Sequence, residues 1–473
     1  MLYYLLEWID ANYDFPGLGV FRYITFRASL AAIFSLIISL LIGKWVIGFL
    51  KKKLIGETIR ESGPESHKSK KGTPTMGGII IVAAIVIPSI LWAKIADNAY
   101  VWLVVLATLW MGLVGFADDY IKVFKKNKQG LKGKFKVMGQ ITLGLLVGLT
   151  MIFHPDFRGS KGNVSEDLVL TASPYLSQLG FVNGDRLIAI DGRSVSILPD
   201  GESNSFASAY TVERSTEKGV KNFIISVSEP DRLKVSDALF GNKDIAFVCK
   251  TNLPFIKDKV LNYARLAFWE QNPSESIAGR LIYVLVVIFI VTAVSNSVNI
   301  TDGLDGLAAG TSAITALTLG VFAYISGNIF FADYLKVSFI PLSGELLIFC
   351  SAMVGACVGF LWYNTFPAQV FMGDTGSLAL GSAVGVLALM VKKELLLPLL
   401  CGVFFLESLS VIIQVGYFRY TKKKYGEGRR IFKMAPVHHH FELSGLHESK
   451  IVTRFWILTI MLSILAFATL KLR

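Results

Sequence analysis

The reactive groups of this sequence are carboxylates, lysines and imidazoles set at the edges of strongly apolar stretches. Five aspartates, Asp118, Asp119, Asp302, Asp305 and Asp374, fall within or beside such stretches. A carboxylate at the centre of a membrane helix costs about 2.5 to 3.5 kcal/mol on insertion scales, so five of them point to a purpose or a watery cavity. Carboxylate oxygens suit a hard cation such as magnesium. In Asp118-Asp119-Tyr120-Ile121-Lys122, adjacent helical side chains do not face each other. The pair is therefore expected to meet different partners and do different work rather than hold one ion together. A solvated helix end with ordinary interfacial charges is the plainer alternative.

Three further motifs carry polar groups. In Asn296-Ser297-Val298-Asn299-Ile300-Thr301-Asp302-Gly303-Leu304-Asp305-Gly306, the paired Asp-Gly steps break a helix, expose backbone amides and set Asn299, Asp302 and Asp305 at three-residue intervals. Such a turn suits a polar ligand, or is simply a tight turn capped by aspartate. Asn364-Thr365-Phe366-Pro367-Ala368-Gln369-Val370-Phe371-Met372-Gly373-Asp374-Thr375-Gly376-Ser377 places an oxygen ligand at a glycine-rich helix start, a setting for a magnesium ion with phosphates. Asp374 could equally be the cap of that helix, and Phe371 offers a face for a stacked base. Arg430-Ile431-Phe432-Lys433-Met434-Ala435-Pro436-Val437-His438-His439-His440-Phe441-Glu442 holds three consecutive imidazoles in a basic loop. Neighbouring imidazoles rarely converge on one zinc without further ligands, so donors to a diphosphate are the favoured reading.

Lys70, Lys71, Lys122, Lys126 and Lys134 border the same face. Most such lysines are topology signals and lipid-headgroup contacts. Lys71, directly before Gly72-Thr73-Pro74-Thr75-Met76-Gly77-Gly78, is the best phosphate candidate, with Thr75 beside it.

These residues must be positioned by a membrane protein. The chain has 473 residues, 53% hydrophobic and 17% charged, with a net charge of +12 and a mean hydropathy of +0.54; soluble domains carry about 25% charge. A bilayer-crossing helix needs about 20 apolar residues, and ten stretches are expected to cross: 28–50, 72–93, 98–117, 137–155, 281–301, 306–332, 346–363, 375–391, 395–418 (interrupted by Glu407) and 455–470. Met1 to Arg27 reads as an amphipathic lead-in rather than a removable signal. Loops 51–71, 118–136 and 419–454 hold 7, 7 and 9 Lys+Arg, against 1, 1 and 2 in 94–97, 333–345 and 392–394. The positive-inside rule makes the first set cytoplasmic, with both termini outside. All five aspartates fall on the cytoplasmic side, in agreement with a count that ignored them. Four cysteines, Cys249, Cys350, Cys357 and Cys401, lack metal-site spacing, so neither zinc nor a disulfide framework is expected.

Between spans four and five, Asp156 to Ser276 carries 14 Lys+Arg against 16 Asp+Glu. Short β-like runs, Arg186 to Ile190 and Asn222 to Val227, alternate with turn signals at Asn183-Gly184 and Asp191-Gly192. This predicts a soluble insert, outside the membrane by parity. The expected fold is thus an all-α polytopic membrane protein with ten transmembrane helices and an extracytoplasmic, mainly-β insert: 1–155 membrane, 156–250 insert, 251–473 outer loop and membrane.

Together the four motifs resemble those of the phospho-N-acetylmuramoyl-pentapeptide transferase family, within the wider polyprenyl-phosphate N-acetylhexosamine-1-phosphate transferases. The resemblance spans all ten expected helices and stops at the insert. The aspartates are shared across the superfamily; Ala435-Pro436-Val437-His438-His439-His440-Phe441-Glu442 points to the muramoyl-pentapeptide branch. The resemblance implies transfer of phospho-N-acetylmuramoyl-pentapeptide from UDP to undecaprenyl phosphate, giving lipid I and UMP, with magnesium required, in the bacterial cytoplasmic membrane. Asp374 matches the family's magnesium ligand, with Asp118 and Asp119 as further candidates. Phe371 matches its uracil-stacking ring, and Gly303, Leu304 and Asp305 its uridine pocket. Asn299, Asp302, Asn364, Lys71, Lys122, His438, His439 and His440 match other polar site positions, and Thr75 and Asn296 join the expected substrate contacts. A homodimer is implied; no nucleic-acid partner is expected. Within the insert, Ser173 to Val195 resembles the core of a bacterial PDZ domain, a fold that takes extended peptides by strand addition. Thr251 to Lys257 looks like the family's own outer loop resuming after the insert.

Two rival functions stay open on sequence alone. One is a sister transferase for another UDP-N-acetylhexosamine, against which the histidine strip argues. The other is a non-catalytic carrier or scaffold for polyprenyl lipids, which would have no use for Asp118, Asp119 and Asp374 beside phosphate-binding lysines.

Overall fold

A computed structural model describes residues 1–13, 16–52, 72–125, 127, 129–157, 169–170, 174–194, 207–216, 219–228, 232, 235, 239, 250–252, 260–266, 277–335, 337–338, 340 and 342–470. Lys70, Lys71, Lys126 and parts of the insert and of Thr251 to Lys257 lie outside them. The helices that matter here are α1 (Leu2–Tyr13), α2 (Ile24–Lys52), α3 (Gly78–Trp92), α4 (Ala99–Val123), α5 (Gly133–Phe153), α6 (Ile277–Thr301), α7 (Leu307–Gly327), α8 (Leu346–Asn364), α9 (Gly373–Met390), α10 (Gly402–Tyr425), α11 (Val437–Glu442) and α12 (Glu448–Ala468). They form two compact units, one of Met1–Leu149, Lys250–Leu261 and Leu281–Arg473, the other of Thr150–Cys249 and Asn262–Arg280.

The protein is a polytopic, mostly α-helical membrane protein. Among the described residues nine helices are long and apolar enough to cross a bilayer. The stretch expected over 72–93 is helical only over the 15 residues of α3, which at 1.5 Å per residue span about 22 Å. Its first six residues, 72–77, are spent otherwise. Phe371 N–H donates to Pro74 O at 2.8 Å, while Gly77 N–H and Gly78 N–H donate to Phe371 O and Met372 O, each at 2.8 Å. Hydropathy cannot distinguish these loop-to-loop hydrogen bonds from a helical turn.

The expected span 395–418 is also rearranged. A short helix, Leu397–Leu400, ends at Cys401, and α10 then runs on to Tyr425. Gly426, at φ +78°, closes it in the left-handed conformation that favours glycine. Hydropathy had set the end at 418 because Arg419 and Lys422 to Lys424 are charged, yet such residues are good helix formers.

Small residues set the centre of the bundle. In α9, 89% of the apolar window is buried against 22% in α10, so α9 lies inside and α10 at the periphery. Two glycines let neighbouring helices touch the start of α9 by backbone. A Cβ at Gly78 would lie 2.1 Å from Gly376 N, and one at Gly115 2.2 Å from Asp374 O. At the far ends of these helices a buried ion pair ties α2 to the start of α8: Arg27 donates to Glu345 through Nη1 at 2.8 Å and Nη2 at 2.5 Å, and Nη1 also donates to Trp92 O at 3.1 Å.

The second unit contains an antiparallel sheet of β1 (Arg186–Ile190), β2 (Arg193–Ser194), β3 (Ala209–Thr216) and β4 (Gly219–Ser226), in the order β2-β1-β3-β4. Asp191 and Gly192 turn the first hairpin at φ +46° and +76°; positive φ at both central positions is the turn whose twist matches paired strands. Leu176, Phe181, Leu187, Tyr210, Val212 and Ile225 form its core, and Asp185 holds Arg214 through Nε at 2.6 Å.

Candidate functional site

The end of α4 and the start of α9 bring three carboxylates together. Asp118, Asp119 and Asp374 each offer one oxygen, all within 4.8 Å of one another. The neighbours Asp118 and Asp119 nevertheless hold different partners, as helical geometry requires.

Asp119, 2% exposed, serves the backbone. Its Oδ1 accepts Asp374 N–H at 3.1 Å, and its Oδ2 accepts Thr375 N–H at 2.9 Å and the Thr375 hydroxyl at 2.6 Å. It thus satisfies donors at the first turn of α9, which have no partner inside the helix. Asp118 is fully buried and serves cations. Its Oδ2 lies 2.5 Å from Lys122 Nζ and 3.1 Å from Lys136 Nζ, and its Oδ1 accepts Leu131 N–H at 2.6 Å.

Both ammonium groups also reach Asp374. Lys122 Nζ donates to its Oδ2 at 3.3 Å, and Lys136 Nζ donates to the same oxygen. Asn299 Nδ2 donates to Asp374 Oδ1 at 3.0 Å and to Ser377 Oγ at 2.8 Å. Oxygen-only donors at this spacing fit a hard divalent cation, and the lysines supply charge that balances the carboxylates.

Sequence reading passed over Lys136, one of seven basic residues between Asp118 and Lys136. Its signal lies in spacing. Lys136, Gln140, Gly144 and Gly148 recur every fourth residue and share one face of α5. Gln140 and Asn296 exchange two amide hydrogen bonds, each 3.1 Å, one turn deeper than Asn299. Beyond them, Gly144 brings α5 against α6, where a Cβ would lie 2.7 Å from Ile288 Cα. Close packing and the amide pair together aim Lys136 at the carboxylates.

Asp302, Gly303, Leu304, Asp305 and Asn364 gather at the turn 302–306. Gly306 N–H donates to Asn364 Oδ1 at 3.0 Å, and Asn364 Nδ2 donates to Val370 O at 2.9 Å, so Asn364 splices this turn to the segment before Phe371. Asp305 accepts Ala368 N–H at 3.0 Å, and its own N–H donates to Glu448 Oε1 at 2.7 Å. Asp302 N–H donates to Asn299 O at 3.3 Å. Leu304 is packed in an apolar cluster with Val437, Ile451 and Phe455. Thr75 stands beside Gly373, its Oγ1 3.1 Å from where a Cβ there would sit, and Phe371 is half-buried.

The three histidines diverge. His438 is fully buried, with Nδ1 3.0 Å from Glu407 Oε2. His439 Nδ1 lies 3.2 Å from Glu442 Oε2, and His440 Nδ1 accepts Lys433 N–H at 3.2 Å. His438 meets the turn directly, because a Cβ at Gly303 would fall 2.3 Å from its Nε2. Glu407, too, went unassigned on sequence, where it counted only as an interruption of a span.

Comparison with known proteins bears on the family of the chain as a whole. The family model for glycosyl transferase family 4 matches residues 247–392, and phospho-N-acetylmuramoyl-pentapeptide-transferase signature 1 matches residues 70–82. Over 473 residues, covering all of both chains, the sequence is 47% identical to the phospho-N-acetylmuramoyl-pentapeptide-transferase of Flavobacterium psychrophilum, 48% to that of Amoebophilus asiaticus and 45% to that of Chloroherpeton thalassium.

Proposed function

Given that the chain belongs to the phospho-N-acetylmuramoyl-pentapeptide-transferase family, we propose that it transfers phospho-N-acetylmuramoyl-pentapeptide from its UDP carrier to undecaprenyl phosphate, releasing UMP and forming lipid I for peptidoglycan synthesis. An oxygen of the lipid phosphate bonds to the sugar-linked phosphorus as the bond to UMP breaks. The observation that carries this reading is the meeting of Asp118, Asp119 and Asp374 with Lys122 and Lys136 at the ends of apolar helices.

Both substrates are anionic, and phosphoryl transfer rests mainly on positioning and electrostatic stabilisation. Lys122 and Lys136 bring positive charge to the point where two phosphates must approach. Asp118 holds those lysines in place. Asp119 fixes the start of α9 and with it Asp374. Asp374 would be the principal ligand of magnesium, with Asp118 and Asp119 in support, and the metal when bound would supply neutralisation of phosphate charge and orientation of the phosphate oxygens. Phe371 stacks the uracil, while Gly303, Leu304 and Asp305, with Asn299, Asp302 and Asn364, frame the nucleotide. Lys71, Thr75, Asn296, His438, His439 and His440 complete the polar surroundings.

The enzyme sits in the bacterial inner membrane as a multi-pass protein. With α3 counted as a short crossing, the chain crosses ten times, with the basic loops and the site in the cytoplasm and both termini outside, a reading supported by the Lys+Arg asymmetry. The chain divides at 1–155, 156–250 and 251–473. The insert is a PDZ-like extracytoplasmic domain that takes a peptide or protein partner by strand addition, supported by its antiparallel sheet, and the enzyme works as a homodimer.

Supplying radiolabelled UDP-N-acetylmuramoyl-pentapeptide or UDP-N-acetylglucosamine with undecaprenyl phosphate tests the donor. Labelled lipid forms from the first alone. Labelling from the second instead would assign the chain to a sister activity.

A further inference from the structure

Glu407 and His438 form a buried pair apart from the carboxylate–lysine cluster. Both side chains are fully buried. Glu407 lies in the second turn of α10, next to Ser408, whose hydroxyl donates to Ser297 Oγ at 2.9 Å. The break at Cys401 thereby sets the start of α10 level with the end of α6. Glu407 Oε2 faces His438 Nδ1 at 3.0 Å and accepts the His438 backbone N–H at 3.5 Å. An ionised carboxylate only accepts hydrogen bonds, so the imidazole proton belongs on Nδ1.

Nε2, the other ring nitrogen, is buried with no hydrogen-bond partner among the described residues. It is packed against the turn 302–306, and the missing side chain of Gly303 is what lets the ring approach so closely, since a Cβ there would fall 2.3 Å from Nε2. Leaving a buried polar atom without a partner is costly, and such atoms call for an explanation. Two features therefore converge on one atom: a carboxylate that fixes one side of the ring, and a side-chain-free residue facing the other.

We propose that Glu407 is a positioning residue that locks His438 with its proton on Nδ1, presenting Nε2 to the UDP-sugar where it passes Gly303. This rests on the transferase reading above and assigns Glu407 a role within it. A carboxylate behind an imidazole sets both its tautomer and its orientation, and loss of such a partner at metal-bound histidines costs about 10- to 100-fold.

Solid-state 15N spectra of histidine-labelled enzyme in liposomes read the tautomer directly, because the chain has only six histidines. The wild type should show a ring protonated at Nδ1 whose signals vanish in His438→Gln. Adding UDP-N-acetylmuramoyl-pentapeptide should move its Nε2 resonance. Glu407→Gln should redistribute the proton between the two nitrogens and slow UMP release by about tenfold or more, and the double variant should be no slower than His438→Gln alone. A wild-type ring protonated at Nε2 only, an Nε2 signal indifferent to the UDP-sugar, or additive losses in the double variant would overturn the proposal. If Glu407→Gln does not fold, the wild-type and His438→Gln spectra still decide it. Failure of the wild type to release UMP would count against the transferase reading instead, whatever the tautomer.

Discussion

Asp119 and Asp374, 255 residues apart in sequence, are joined by a hydrogen bond of 3.1 Å from the backbone N–H of Asp374 to the carboxylate of Asp119. The same carboxylate takes both donors of Thr375. The geometry of the second aspartate is therefore set by the first.

Replacing Asp119 separates this support from charge. Asp119→Ala removes all three acceptor contacts, and losing a helix cap alone costs about 1 kcal/mol. The melting temperature in detergent should fall by a few degrees and UMP release should be lost. Asp119→Asn keeps an acceptor oxygen and should retain most of the stability. Equal melting temperatures for wild type and Asp119→Ala would refute the capping role.

Asp118 is occupied by two ammonium groups and Leu131 N–H, which suits it to positioning rather than to taking a proton. A phosphate monoester with a second pKa of about 6 is already mostly dianionic near neutrality. Asp118→Asn should accordingly lose the same factor in rate at pH 6 and pH 8. Near-normal activity at pH 8 with failure at pH 6 would restore a base role.

Lys136 and Lys134 stand on one helix and make a matched contrast. Lys136 contacts Asp118 and Asp374, whereas Lys134 lies over the Phe135 ring at 5.2 Å. Lys136→Met should lower kcat by about 100-fold or more, the scale of losing one group that stabilises transition-state charge. Lys134→Met should leave kcat within about twofold on the same reasoning. Equal losses would reduce both lysines to general surface charge.

Away from the site, Lys393 is 5% exposed, with its ammonium 5.6 Å above the Phe322 ring. Burial pushes it down to about 8, against a smaller upward pull from Glu394. Between about pH 8 and the ordinary lysine value near 10.4, the unfolded chain binds more protons, so this group makes stability rise with pH across that window. Below it the cost is fully present, on the order of 3 kcal/mol at about 1.4 kcal/mol per unit. Lys393→Met should raise the melting temperature at pH 7, and its advantage should shrink by pH 9.5. An advantage equal at both pH values would contradict the assignment.

What the sequence disclosed follows from what its patterns measure. Apolar runs located the membrane helices, and the carboxylates that stood out at their ends, Asp118, Asp119 and Asp374, are brought together by the fold; they stood out because burying charge is costly wherever it occurs. The same patterns are blind to conformation. They could not tell that Pro74 and Gly77 hydrogen-bond to Phe371 instead of joining α3, or that Cys401 divides a continuous apolar run. Lys136 was hidden among equivalent lysines until its one-turn relation to Gln140 gave it direction. Glu407 was visible as a charge inside a span, yet its meaning depended on His438, 31 residues away in sequence.

The most direct test of the account is a magnesium titration of UMP release by the purified full-length protein and its Asp374→Asn variant, with both substrates present. The wild type should release UMP only when UDP-N-acetylmuramoyl-pentapeptide, undecaprenyl phosphate and magnesium are combined, and Asp374→Asn should need about tenfold or more magnesium for half-maximal rate. Absence of UMP release from the folded wild type, or superimposable titrations for the two proteins, would contradict it.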